Sequence, residues 1–281
     1  MTKHDEATVV RANGEKPALY AHVTEPAGAK LVVGLLHGYA DHGARYAHVT
    51  DAWAEKGITT VALTMRGHGK AEGRRGHCER FQEFVDDAAE LTRLVKDRYG
   101  SLPPVLFGHS FGGLVASAAV IANPGPWRAL ALSSPYFDTA KPVPAAKRIA
   151  GRIATRLAPA LALPTGLSGK DCTHDAARAR AYDEDPLVFG TATARWFSET
   201  QAAQAATIAR APSLHLPLLV VMGLADPIVS VPRARAFFDA VGSKDKTWDG
   251  REGLFHETWN EPEWRGIADR FADWMLAHAG D

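Results

Sequence analysis

Short apolar segments that alternate with amphipathic stretches place the strongest constraint on how this chain can fold. The apolar segments are residues 31–36, 58–63, 105–107, 129–132 and 218–222. They are nearly continuous in apolarity, and such strands are buried on both faces, as in a parallel sheet. Between them, residues 81–95 place apolar side chains on one helical face and charged ones on the other. The alternation therefore predicts an α/β fold with a mostly parallel central sheet flanked by helices.

The two ends of this alternation carry different patterns. Residues 8–11 and 18–23 alternate apolar and polar side chains on either side of Asn13-Gly14, which predicts two strands joined by a tight turn. Residues 137–211 are rich in Ala and Arg and carry no strong strand signal.

This long segment follows the sixth predicted strand. We expect it to form a helical cap, residues 137–211, at the carboxyl edge of the sheet, where open α/β sheets bind ligands. The core would then consist of residues 1–136 and 212–281. A pair of helices packed elsewhere is the alternative.

Composition and charge limit the partners of the chain. Its 281 residues include 32 basic and 32 acidic side chains, and the formal net charge is zero. Nucleic acid binding needs an excess of positive charge, so we expect no nucleic acid partner. No apolar segment of a signal peptide follows the polar N-terminus, and no apolar run approaches the length of a membrane span. With Cys78 and Cys172 interpreted as free thiols, these features predict a cytoplasmic protein.

One motif carries the chemistry. Gly108-His109-Ser110-Phe111-Gly112 fits the pattern G-x-S-x-G, and it runs from an apolar strand into a stretch of small residues typical of a buried helix. In a nucleophile elbow the serine stands at a strained strand-to-helix turn, and the small residues beside it allow the chain to turn. We therefore predict that Ser110 is a nucleophile.

A serine hydroxyl needs a general base, and the base needs an orienting acid. Around a nucleophile elbow the three residues follow the order serine, acid, histidine. Asp226 follows the last apolar run and a glycine, and it is the favoured acid; Asp138, at the end of the preceding strand, is the alternative. His256 precedes the last amphipathic helix and is the predicted base, since His215 precedes a buried strand and His278 lies within that helix.

The developing oxyanion needs two backbone amides. One comes from the residue after the nucleophile and the other from the loop after the first parallel strand, which assigns the amides of Phe111 and Tyr39. Three nearby histidines are interpreted as structural: His37, His68 and His109.

With these residues placed, the chain resembles the monoacylglycerol lipase and lysophospholipase branch of the α/β-hydrolases over nearly its whole length. The matching motifs are His37-Gly38-Tyr39-Ala40-Asp41-His42 with Arg45-Tyr46, Arg66-Gly67-His68-Gly69 with Gly73-Arg74-Arg75-Gly76, Gly108 to Gly113, Asp183-Glu184-Asp185-Pro186-Leu187, and Gly253 to Glu261 with His256-Glu257 and Asn260-Glu261. The resemblance implies the α/β-hydrolase fold and an ester hydrolase that forms an acyl-enzyme on Ser110, without a metal or organic cofactor. A small ester or a monoacyl lipid is the implied substrate.

Other functions on the same fold stay open. An acyltransferase would use the same residues, with an alcohol in place of water. An aminopeptidase would need acids in the cap to hold a substrate ammonium, and the candidates are Asp171, Asp175, Asp183, Glu184 and Asp185. A non-catalytic binding protein is the remaining alternative, and the intact set of three catalytic residue types argues against it.

The cap carries two parallel stripes. Arg148, Arg152 and Arg156 recur every four residues, and so do Ile149, Ile153 and Leu157. One interpretation is a lid helix that makes transient contact with an anionic membrane surface. The other is a helix with its apolar face on the core, which the short length of the stripe favours.

Overall fold

The computed structural model describes residues 2–9, 17–143 and 145–279. Its strands are β1 (Lys3–Val9), β2 (Leu19–Glu25), β3 (Leu31–Leu36), β4 (Ile58–Thr64), β5 (Pro104–His109), β6 (Ala129–Ser133), β7 (Ala162–Pro164), β8 (Thr191–Thr193), β9 (Leu218–Gly223) and β10 (Lys246–Arg251). Its helices are α1 (Ala47–Glu55), α2 (Gln82–Tyr99), α3 (Phe111–Ala122), α4 (Ala145–Leu157), α5 (Gly169–Cys172), α6 (Ala176–Glu184), α7 (Ala194–Arg210), α8 (Val231–Ala240) and α9 (Trp264–His278).

Eight of the strands form one sheet, in the order β1-β2-β4-β3-β5-β6-β9-β10. The first two neighbour pairs, β1 with β2 and β2 with β4, are antiparallel. Every other neighbour pair is parallel. The sheet confirms the predicted mostly parallel α/β-hydrolase fold.

Burial explains why the apolar segments become central strands. All residues of β3, β4, β6 and β9 are buried, as continuous apolarity requires of a strand covered on both faces. Strand β1 lies at the edge of the sheet and begins at Lys3, earlier than the predicted Thr8. Polar residues are tolerated in an edge strand, so hydropathy alone missed residues 3–7 of this strand. The predicted turn at Asn13-Gly14 lies outside the described residues.

Helices cover both faces of the sheet. One face packs against α2, α3 and α8 through side chains such as Phe84, Leu114 and Phe237. The other packs against α1 and α9, where the Trp53 indole donates a hydrogen bond to the Ala268 carbonyl at 2.9 Å. The two layers fix the carboxyl edge of the sheet, where the loops after β3, β5, β6 and β9 meet.

The segment between β6 and β9 holds α4 to α7 and a small antiparallel sheet of β7 and β8. The sequence predicted no strand here, because each strand has three residues and carries no alternating pattern. Several hydrogen bonds attach this insert to the core, including Tyr39 Oη to the Thr191 carbonyl at 2.7 Å and the Thr193 amide to the Gly76 carbonyl at 2.9 Å. The bounds of a separate cap domain, 137–211, stay a prediction.

Two further features concern the whole described chain. Cys78 and Cys172 are both buried and both free. None of the helices in the described ranges combines the length and the apolarity that crossing a membrane requires.

Candidate active site

Ser110 stands at the turn between β5 and α3. Its backbone has φ 51° and ψ −116°, a strained conformation for a residue with a side chain. The chain reaches this turn only because its neighbours are glycines: a Cβ on Gly112 would lie 2.2 Å from the Leu36 carbonyl oxygen, and one on Gly108 would lie 2.6 Å from the Gly112 carbonyl oxygen. The turn projects the hydroxyl from the carboxyl edge of the sheet, as an elbow requires.

The structure brings Ser110, His256 and Asp226 together. His256 Nε2 lies 2.9 Å from Ser110 Oγ, and His256 Nδ1 lies 2.7 Å from Asp226 Oδ2. All three residues are buried. In the tautomer that this arrangement requires, Nδ1–H donates to Asp226 and Nε2 accepts from the Ser110 hydroxyl, which is the arrangement needed for proton transfer from serine.

The orientation of Asp226 is fixed by its own loop. Its Oδ1 accepts the backbone amides of Ile228 at 2.8 Å and Val229 at 3.0 Å, so Oδ2 is directed at His256. Asp138, the alternative acid, is half-exposed and its carboxylate faces Arg233 at 3.6 Å. Asp226, and not Asp138, therefore lies where an orienting acid would act.

The electrostatics of His256 suit a general base. Burial, the largest single influence, would lower its pKa, but nearby carboxylates, chiefly the hydrogen-bonded Asp226, together outweigh it, and the pKa of His256 lies above its ordinary value. Glu257 and Asp41 raise it further. This environment would stabilise an imidazolium if His256 took a proton from Ser110.

The loop after β3 passes directly beside the nucleophile. A Cβ on Gly38 would lie 3.5 Å from Ser110 Cβ, and the rings of Tyr39 and Phe111 contact each other edge to face with centroids 6.0 Å apart. Both residues assigned to the oxyanion hole are therefore neighbours of Ser110. Their role as amide donors to an oxyanion remains a proposal.

The other histidines of the motifs hold loops in place. His37 Nδ1–H donates to the Gly38 carbonyl at 2.7 Å, while its Nε2 accepts the Met65 amide at 3.0 Å. His109 Nδ1 lies 3.1 Å from the Ser133 carbonyl oxygen, and His68 Nδ1 lies 2.8 Å from the Arg66 carbonyl oxygen. Burial lowers the pKa of His37 and of His109 to about 3. These contacts agree with structural roles.

From the sequence, Glu257, Asn260 and Glu261 of the closing motif could be recognised only as part of the family resemblance, and no structural or catalytic role was predicted for them. Glu261 is fully buried and accepts the Phe255 amide at 2.6 Å and the His174 amide at 3.0 Å. Asn260 Nδ2 donates to Glu257 at 2.7 Å. The spacing H-E-x-x-N-E was the available signal, since these side chains hold the loop that carries His256.

A cavity of about 970 Å³ opens onto Ser110 and His256. This volume is at the upper end of the range of small-molecule sites. Apolar side chains of the insert and of the loop after β9 line much of it, among them Leu161, Leu163, Phe197 and Ile228. Its polar lining includes Asp41, Asp171, Tyr182 and Glu257. Among the described residues, no group of three or more His, Cys, Asp or Glu side chains is placed to hold a metal ion.

A sequence model of the family described as "Serine aminopeptidase, S33" matches residues 27–263. The chain belongs to this family. Several of its relatives are named as lipases. A monoacylglycerol lipase of Mycolicibacterium smegmatis is 32% identical over 256 residues, which are 91% of this chain and 90% of that protein. The phospholipase YtpA of Bacillus subtilis is 31% identical over 83% of this chain and 90% of its own length.

Solved structures of monoacylglycerol lipases share the fold of this chain. The crystal structure of a monoacylglycerol lipase of Paleococcus ferrophilus has a TM-score of 0.82 at 27% identity, covering 92% of this chain and 99% of that one. A soluble variant of monoglyceride lipase of Saccharomyces cerevisiae has a TM-score of 0.82 at 17% identity over 95% of this chain and 94% of that one, which shows the shared fold. The chain is thus an α/β-hydrolase and a serine ester hydrolase.

Proposed function

We propose that this chain hydrolyses the ester bond of a single-chain lipid, with monoacylglycerol as its preferred substrate. The observation that carries the proposal is the cavity, which joins a largely apolar wall to a polar cluster at the reacting serine. An acyl chain fits the apolar part and a polyol fits the polar part. The monoacylglycerol lipases among the relatives support the same substrate class.

The reaction would use the residues of the site in fixed roles. Ser110 attacks the ester carbonyl while His256 takes its proton, and Asp226 holds the imidazole tautomer. The amides of Tyr39 and Phe111 stabilise the tetrahedral oxyanion. The C–O bond then breaks as His256 protonates the leaving alcohol, and water activated by His256 hydrolyses the acyl-enzyme.

Charge favours a neutral head group over a phosphate. Asp41, Asp171 and Glu257 line the cavity, and one guanidinium, that of Arg45, pairs with the first and last of them. Lys141 is the only lysine or arginine among the described residues that line the cavity. Excess negative charge disfavours an anionic head group. A lysophospholipid is the second candidate, because the B. subtilis relative is named a phospholipase.

A comparison of head groups tests this choice. We would measure kcat/KM for 1-oleoylglycerol, oleoyl lysophosphatidylcholine and oleoyl lysophosphatidate, with Ser110→Ala as the inactive control. We expect monoacylglycerol to be hydrolysed fastest and lysophosphatidate slowest. Faster hydrolysis of either phospholipid would refute the preferred substrate, and activity that persists in Ser110→Ala would refute the mechanism.

We also propose that the insert makes transient contact with a membrane. Ile149, Ile153 and Leu157 are exposed on α4, by 58%, 54% and 81%. Leu161 and Leu163 are exposed and also line the cavity, so the apolar surface continues into the site. The side chains of Arg148 and Arg152 lie outside the described residues. An apolar face beside basic residues is typical of helices that lie on membranes.

Vesicle binding tests this contact. We expect Leu157→Asp to weaken sedimentation with vesicles of phosphatidylcholine and phosphatidylglycerol. Ala205→Asp, at an exposed position of α7, serves as the matched control. Equal binding by both variants and the parent protein would refute the contact. Hydrolysis of a water-soluble ester should be the same in all three.

A further inference from the structure

Arg45 is a buried cation between the two loops that carry the catalytic machinery. Its side chain is 9% exposed, and its two carboxylate partners, Asp41 and Glu257, are 3% and 4% exposed. Nη1 donates to Glu257 Oε1 at 2.9 Å and to Asp41 Oδ1 at 2.9 Å. Nη2 donates to Glu257 Oε2 at 2.8 Å. One guanidinium therefore joins both carboxylates.

The Asp41 side of this contact shapes the loop that carries Tyr39. The Asp41 carboxylate accepts the backbone amides of Gly38 at 3.3 Å and His42 at 2.7 Å. Between them Ala40 has φ 59°, a conformation that costs a residue with a side chain about 1 kcal/mol. The loop keeps this strained shape because the carboxylate bonds the backbone on both sides of the strained residue.

The Glu257 side of the contact holds the loop of the general base. Glu257 follows His256 in the chain, so its carboxylate fixes the backbone that carries the imidazole. Two rings flank the guanidinium: its Cζ lies 4.7 Å from the Tyr182 ring centroid and 5.5 Å from that of Trp259. Trp259 belongs to the same loop and stacks on Tyr46 with centroids 4.1 Å apart.

We infer that Arg45 is a positioning residue, which sets the distance between the oxyanion loop at Tyr39 and the His256 loop through its joint contact with Asp41 and Glu257. It touches neither Ser110 nor a reacting atom. Its effect is on the transition state, where the amide donors and the imidazole must both face the same tetrahedral carbon. The inference rests on the proposed ester hydrolysis at Ser110.

Only a guanidinium can make this joint contact with Asp41 and Glu257. Its planar fork makes three hydrogen bonds to two carboxylates that approach from different loops. A lysine ammonium has the same charge but bonds as a point donor and cannot reproduce the bidentate contact with Glu257. Arg45→Lys therefore keeps the charge of the cluster while it loosens the geometry.

The test compares Arg45→Lys with a matched control. Arg66 also makes a bidentate contact with a fully buried carboxylate, that of Asp87. Asp87 belongs to helix α2 and to neither of the two loops that Arg45 joins. For p-nitrophenyl butyrate, which has no glycerol head, we expect Arg45→Lys to lower kcat by about 10-fold or more with KM changed less than about threefold. Arg66→Lys should leave kcat within about twofold. All rates are expressed per active site, titrated with a fluorophosphonate.

A tetrahedral analogue separates positioning from general stability. A trifluoromethyl ketone adds to the serine and places its oxyanion at the amide donors, so its Ki should rise by the same factor as kcat/KM falls. Glu257→Gln, which keeps the side-chain size, should show the same two effects and serves if Arg45→Lys does not fold. An unchanged kcat per active site, an unchanged Ki, or an equal loss in Arg66→Lys would overturn the inference. Failure of the proposed ester hydrolysis at Ser110 is distinct, because the parent protein would then hydrolyse no ester or would keep its activity in Ser110→Ala.

Discussion

Gly223 offers a sharp test of how the site is held. It ends β9, and a Cβ at this position would lie 2.2 Å from the Phe255 carbonyl oxygen and 2.6 Å from the Leu254 carbonyl oxygen. Both atoms belong to the backbone of the loop that carries His256. The loop must therefore move by about 1 Å before the atoms reach ordinary contact.

Such a shift acts directly on the hydrogen bonds of His256. Its two partners, Ser110 at 2.9 Å and Asp226 at 2.7 Å, belong to the turns after β5 and β9, so a shift of the His256 loop alters both distances. A misplacement of about 1 Å costs on the order of 100-fold in rate, or about 2.7 kcal/mol of transition-state stabilisation. We therefore expect Gly223→Ala to lower kcat about 100-fold with a smaller change in KM.

The assay is kcat for p-nitrophenyl butyrate per titrated active site, with the melting temperature measured alongside. Gly266→Ala is the matched control, because a Cβ there meets nothing within 4 Å and the position lies in helix α9. That variant should keep full activity and gain slight stability. A Gly223→Ala enzyme with kcat within about threefold of the parent would refute the close approach on which the reasoning depends.

Four further predictions concern the same site. Asp226→Asn should lower kcat by about 10³–10⁴-fold at unchanged folding, measured by steady-state kinetics and circular dichroism, because the amide favours the wrong imidazole tautomer. Since His256 acts as a base only when neutral and its pKa is raised, kcat/KM should fall as the pH drops through a midpoint above 6.5. Glu257→Gln removes a carboxylate that raises this pKa, so a pH profile should show the midpoint moved to lower pH; an unmoved midpoint contradicts the assignment. Gly112→Ala would place a Cβ 2.2 Å from the Leu36 carbonyl oxygen, and calorimetry should show a melting temperature lower by about 5–10 °C.

The central strands of the sheet could be predicted because burial on both faces requires a continuous run of apolar residues. The run at residues 31–36 became β3 with the same bounds, and the run at 218–222 became β9 with one more residue, Gly223. Strands β7 and β8 have no such apolar run. Their side chains are mostly exposed, and three-residue strands are too short for a period to be recognised.

The choice between Asp226 and Asp138 shows what the sequence leaves open. Each follows a central strand, and because β6 and β9 are neighbours in the sheet, both carboxylates emerge at the same edge. Only side-chain contacts separate them: Asp226 is bonded by two amides of its own loop and faces His256, whereas Asp138 faces Arg233.

The Arg45 contact was beyond sequence reasoning for a different reason. Arg45 and Glu257 are 212 positions apart, and nothing local in either motif indicates that they meet. Folding brings the loop after β3 and the loop after β10 to one edge of the sheet. A pair of that kind becomes visible only once both loops are placed.

The most direct test of the central claim is covalent labelling of the nucleophile. The protein is treated with a fluorophosphonate, digested and analysed by mass spectrometry, beside Ser110→Ala and beside enzyme protected by a monoacylglycerol. We expect a single adduct on the peptide that contains Ser110. Its formation should be slowed by the lipid and absent from the variant, and esterase activity should be lost at the same rate as the adduct forms. An adduct on another residue, or a Ser110→Ala protein that still hydrolyses monoacylglycerol, would contradict it.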